Sequence, residues 1–267
     1  MKKLTVFTIA IAAIAFAACG GKKNAQNVEE ADSLKSFEQQ QIEASIKMHF
    51  DSIAAEFSKI KQPAFVQDKN GGITLSKEEK QVKPDYLIDA KAAEEATTLA
   101  EKYRILSALN VDRKIAELYE MPTEDYDKAI TKLAADINDP SFKAIEDNNT
   151  IFETSSALYD AMNQNGRINF FWQLASAALV EELYVANKNA DKFLSNFDDE
   201  AAANITFRII LILDAVNRLS EYDADVKPIA EALAPLDVLN ATTVAELKAQ
   251  LAEAKDKIEA ARKALVK

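Results

Sequence analysis

Ile168-Asn-Phe-Phe-Trp-Gln-Leu-Ala-Ser-Ala-Ala-Leu-Val-Glu-Glu-Leu-Tyr-Val-Ala-Asn187 contains neither glycine nor proline, and its apolar side chains fall on nearly every side of a helical wheel. A helix that is apolar all round belongs at the centre of an assembly, with other helices packed against it. The stretch therefore predicts a long central helix. Gly166, just before it, marks the stop of the preceding helix. That helix opens at Thr150-Ile-Phe-Glu153, a capping box, and carries Phe152, Ser155, Tyr159 and Met162.

Downstream, Asp198 to Glu221 has a similar character. Ile205, Ile209, Ile212, Val216 and Leu219 share one face, and Phe207, Ile210 and Leu213 another. Arg208 interrupts this run and argues against a membrane span. Asp214 and Arg218, four residues apart, suit an ion pair. Pro228 opens a short helix and Pro235 closes it. From Thr242 or Thr243 onward, Val244, Leu247, Leu251, Ala254, Ile258, Ala261 and Leu265 follow heptad spacing. We read this seam as packing within the same chain, with a partner helix as the second reading.

Upstream, Leu34 to Ile60 reads as the first helix, with Ile42, Ile46, Phe50, Ile53, Phe57 and Ile60 as its stripe and Pro63 as its end. Gln62 to Pro84 is the longest irregular stretch, with Ile73-Thr74-Leu75 either a short strand or a cap on the bundle. Asp85 to Leu109 reads as helix, continued or followed by Val111 to Tyr119. Thr123 is the expected N-cap of a helix with Tyr126, Ile130, Leu133 and Ile137 inward. Asn138-Asp139-Pro140 breaks it, and 138–141 is the best candidate for a subdomain boundary. The whole predicts an all-α bundle of about eight to ten helices with short loops over 34–267. Five glycines and six prolines in 267 residues agree with it.

The beginning of the chain has another character. Lys2 and Lys3 precede the apolar run Leu4–Phe16, and Ala17, Ala18 and Cys19, the sole cysteine, follow. A run of thirteen residues is too short to span a bilayer, which takes about twenty. The order resembles the signal peptide of a bacterial lipoprotein, with Phe16-Ala17-Ala18-Cys19 as its lipobox and Phe16 where leucine is more usual. The resemblance implies that residues 1–18 are removed and that Cys19 carries the acyl chains. More than one chain gives stable anchoring. Residues 19–33 then form a polar tether. Gly20, Lys22 and Lys23 after the cysteine point to the outer membrane, facing the periplasm. Asp32-Ser33-Leu34 and Asp51-Ser52-Ile53 resemble the O-glycosylation motif of Bacteroides-type periplasmic proteins, with Ser33 the better placed.

Composition restricts the chemistry. The formal net charge of −11, more negative still once Lys2 and Lys3 are removed, disfavours nucleic acid as a partner. With Cys19 lipidated no thiol remains, so the domain is held by its core and not by disulfides. His49, the sole histidine, flanks the stripe of the first helix and reads as structural. It has no nucleophile elbow or zinc-ligand cluster to work with. Glu43 lies six residues before it, which is not the spacing of a helical di-iron site. Asp223-x-Asp225 and Asp136-x-x-Asp139 lack the glycine and terminal glutamate of an EF-hand loop. Among 43 acidic residues, Glu181-Glu182 and Asp198-Asp199-Glu200 arise by composition. We expect no cofactor, no metal and no catalysis.

Two functional expectations follow. The first is a lipid-anchored envelope protein that works through a protein partner or as structural support. The second is a binding protein for a small or lipid-like ligand held between helices 168–187 and 198–221, with Tyr159, Phe171, Trp172 and Phe207 lining the pocket.

Overall fold

The computed structural model describes residues 37–57, 73–145 and 151–266. Twelve α-helices and two 3-10 segments occur there, with no strand among the described residues. They are α1 (Phe37–Phe57), α2 (Lys77–Gln81), α3 (Ala92–Glu95), α4 (Leu99–Leu118), α5 (Glu124–Ile137) and α6 (Ile151–Gln164). Then come α7 (Ile168–Lys188), α8 (Ala190–Phe193), α9 (Asp199–Leu219), α10 (Lys227–Leu233), α11 (Val244–Glu253) and α12 (Lys255–Leu265). All of them fall in one packing unit, Ser36–Lys267, and the break after α5 lies inside it. No described helix is long and apolar enough to cross a membrane.

α7 is the axis. It packs along α4 and α12, and also touches α6, α9, α10 and α11. Fourteen of its 21 residues are buried. α1 closes the bundle against α6 and α9, with Ile46 and Phe50 buried; Ile53, Phe57 and Ile60 lie outside the described side chains. The inner face of α9 is the expected one: Ile205, Ile209, Ile212, Val216 and Leu219 are all buried.

Local signals set most helix ends. Asp198 caps α9 by accepting the Ala201 N–H at 2.8 Å. Thr243 and Glu246 form a reciprocal capping box at α11. After α6, Gly166 adopts φ +68°, Gly166 N–H donates to Asn163 O, and Arg167 N–H donates to Met162 O. This is a Schellman stop, and it turns the chain into α7. Pro228 and Pro235 open α10 and the 3-10 segment Ala234–Val238. The Thr150 cap of α6 lies outside the described residues.

Three expectations need revision, and of the two readings of Ile73-Thr74-Leu75 the cap holds. Helix does not begin at Asp85: residues 85–91 are irregular, α3 is a single turn, and α4 starts at Leu99. Side chains from other elements take the backbone groups that a helix there would use, as described below. The Thr98–Glu101 capping box then starts α4, which runs unbroken past Asn110. Ile73 and Leu75 form no strand; both are buried and cap the core ahead of α2. Thr123 sits at the N-cap position of α5 without making a capping bond. The C-terminal heptad is one seam on two helices. It bends at Ala254, so that α11 lies against α8 and α9 while α12 runs along α7.

Candidate functional site

Tyr159, Phe171 and Trp172 come together as expected, and Phe50 of α1 sits among them. Phe50 stacks on Tyr159 with ring centroids 4.4 Å apart, and meets Phe171 and Trp172 edge-on at 5.6 and 6.4 Å. Edge-to-face pairs of this kind fill space and hold each ring in place. Tyr159 and Trp172 are each 1% exposed, so this cluster is core. Trp172 Nε1 is buried there without a hydrogen-bond partner. Phe207 does not join the cluster. It is 55% exposed and points outward on α9 beside Ile210, at 51%. Cys19 and Ser33 lie outside the described residues. Ser52 and His49 are exposed on α1.

The acidic pairs resolve into separate roles. Asp198 is a cap, and Asp199 Oδ1 accepts the Val244 N–H at 2.9 Å, tying α9 to α11. Asp223 Oδ1 accepts the Asp225 N–H at 2.8 Å, and Asp136 pairs with Lys132. Asp139 accepts from the Tyr103 hydroxyl and from Ser141 N–H. No group of histidine, cysteine or carboxylate side chains that could hold a metal occurs among the described residues.

Glu181 and Glu182 are the polar centre of the molecule. Both are buried, at 0% and 3% exposure. Adjacent residues on a helix point about 100° apart. Glu181 therefore faces α12 and Glu182 faces α9, and each meets an arginine. Arg262 donates to both Glu181 oxygens, through Nε and Nη2, at 2.8 Å each. That fork-on-fork pairing is the strong form of a charge-assisted hydrogen bond. Arg208, its side chain 18% exposed, donates to Glu182. Burial lowers the Arg208 pKa to about 10.

Around Glu181 a larger network is built. Arg262 Nη2 also donates to Tyr86 O at 3.1 Å and lies 3.9 Å from Asp112 Oδ2. Its guanidinium stacks 3.9 Å from the centre of the Tyr184 ring. Asp112 of α4 is 0% exposed, and its Oδ2 accepts the Ile88 N–H at 2.6 Å. The Tyr126 hydroxyl donates to Ile88 O at 2.8 Å. These bonds consume the backbone groups of 86–88 and explain why 85–91 is not helical. The pocket of charge holds two carboxyls and one guanidinium, so one carboxyl must carry a proton to avoid a buried surplus charge. Of the two, Asp112 is pushed further toward its neutral form. Burial raises its pKa well above the carboxylate range and the charge of Glu181 raises it further. Glu181 is raised by burial and brought back by Arg262. Asp112 Oδ1 is buried without a hydrogen-bond partner among the described residues.

The signal for this network was present in the sequence. Two acids inside an all-round apolar helix, and an arginine inside an apolar run, have to be paired. Nothing in the spacing marks Asp112 or Arg262 as their partners.

A cavity of about 180 Å³ lies elsewhere, between α3, the first turns of α4 and the end of α12, with Arg104, Glu95 and Glu101 on its wall. No family model, no curated protein and no solved structure matches the chain.

Proposed function

We propose that the chain is a lipid-anchored protein of the bacterial envelope, non-enzymatic, that presents an acidic helical domain to a protein partner. The observation that carries this reading is the order Lys2-Lys3, Leu4–Phe16, Ala17-Ala18-Cys19. The arrangement of charge supports it. The glutamates of the central helix are each closed by an arginine, and the aromatic cluster by Phe50, so both are used up in holding the fold. What the domain offers is its surface, where Phe207 and Ile210 stand one turn apart on α9 with Glu200 exposed a further two turns back. An apolar spot of that kind on a negatively charged protein suits a partner with an apolar recess rimmed by basic side chains. The anchor raises the local concentration at the membrane and so strengthens a weak contact.

A photo-crosslinking side chain at position 207, introduced in the native host, tests this. We expect one crosslinked protein species in the membrane fraction, reduced when Ile210 is changed to Ser and lost from the membrane fraction in Cys19→Ser. A Cys19→Ser protein that stays in the membrane fraction with unchanged processing contradicts the anchor. The second reading, a ligand between α7 and α9, has less support, because Tyr159 and Trp172 pack against each other and Phe50, and Phe207 points outward.

A further inference from the structure

Arg104 lies in the second turn of α4 and is half-buried. Its Nε donates to Leu265 O at 2.9 Å and its Nη1 to Gln173 Oε1 at 2.7 Å. Both acceptors are uncharged. Gln173, fully buried on α7, is fixed in turn by donating to Asp225 O at 2.8 Å. The guanidinium is thus held from behind; among the described residues no carboxylate reaches it at contact distance, while Glu101 and Asp225 oppose its charge from farther off. A half-buried guanidinium with no contact ion pair keeps a donor open for the charge-assisted bond that a carboxylate accepts. Its Nη2 donates to nothing among the described residues.

The cavity of about 180 Å³ that Arg104 lines has apolar walls from Ala92, Ala96, Ile105 and Ala264. Glu95 and Glu101 complete it. Glu101 Oε2 accepts from the Thr97 and Thr98 backbone N–H groups and from the Thr97 hydroxyl, at 2.8–2.9 Å. These bonds hold its carboxyl ionised, with a pKa lowered to about 2. Glu101 Oε1 has no such bond.

The charge balance selects the ligand. One guanidinium faces two carboxylates, so a simple anion is repelled as it approaches Arg104. A ligand that brings its own ammonium satisfies both signs. At water-like density a space of this size holds roughly six to eight non-hydrogen atoms. We propose that the cavity binds a small apolar α-amino acid, with the carboxylate on Arg104, the ammonium on Glu101 and Glu95, and the side chain against Ala92, Ala96 and Ile105. The site is separate from the surface of α9 and does not depend on the anchor.

Equilibrium dialysis of the full chain in detergent against labelled L-valine tests this. Saturable binding is expected, competed by L-alanine but not by propionate, isobutylamine or L-phenylalanine in the same concentration range. Loss of one charge-assisted contact weakens binding by about tenfold to a hundredfold, which is the effect expected of Arg104→Gln. Ala96→Leu fills the cavity while leaving both charges in place. It should abolish binding with an unchanged melting profile, which separates a blocked site from a misfolded protein. Absence of saturable valine binding overturns the proposal, as does binding that survives both substitutions. Propionate competing as well as alanine overturns the role of Glu101 and Glu95.

Discussion

A glutamate buried on the central helix stays charged only if something opposes it at contact distance. Arg262 and Arg208 do so for Glu181 and Glu182, while burial and the charge of Glu181 push Asp112 toward its neutral form. Such pairs add little net stability over apolar packing, but removing one member is costly. Here they fix the rotation of α7 against α9 and α12. The need for partners was readable from the sequence, since acids amid apolar side chains stand out. The partners were not, because Asp112 and Arg262 meet Glu181 through the tertiary fold from 69 and 81 residues away. The raised pKa of Asp112 has a consequence for stability. The folded chain binds that proton more tightly than the unfolded chain does, so its contribution is fully present below the ordinary carboxyl value of about 4 and is lost as pH rises through the raised value. Asp112→Asn keeps an acceptor for the Ile88 N–H and supplies an N–H toward Glu181 without titrating. Urea unfolding measured from pH 4 to 9 should show a falling slope in the natural protein, a flatter one in the variant, and the variant more stable at the alkaline end. The same slope in both proteins would place the proton elsewhere.

Helices were legible where their own residues decide them. The apolar faces of α7 and α9, the Asp198 and Thr243 caps and the glycine stop of α6 are local signals, and the structure follows them. Residues 85–91 were misread because their periodicity suits a helix while the backbone of Tyr86 and Ile88 is claimed by Asp112, Arg262 and Tyr126. The bend at Ala254 is similar: the heptad continues through it, so periodicity alone cannot reveal it. Gly166 offers a test at this scale. At φ +68° an added Cβ meets no atom within 4 Å, so Gly166→Ala suffers only the backbone strain of the left-handed region. We expect a loss of about 1 kcal/mol, or about 2–4 °C in Tm for a domain of this size. An unchanged Tm would show that the turn into α7 tolerates a side chain and that the Schellman stop does not depend on glycine.

At the scale of the molecule, the all-α class and the central place of α7 could be read from composition and periodicity, because scarce glycine and proline leave long helices and the most apolar one goes inside. The expected ligand pocket could not be judged in the same way. Four aromatic residues at helical spacing are compatible with either a lining or a core. Phe50 arrives from α1 to stack on Tyr159, and Phe207 turns outward, and neither placement is marked by the spacing. We propose that this helical domain is joined to an envelope address in the first nineteen residues. Intact mass spectrometry of the protein extracted from its host's membranes tests that join most directly. The account predicts a chain that begins at Cys19 and carries the added mass of two or three acyl chains. A chain that retains Met1–Ala18, or one that begins elsewhere with no lipid attached, would contradict it.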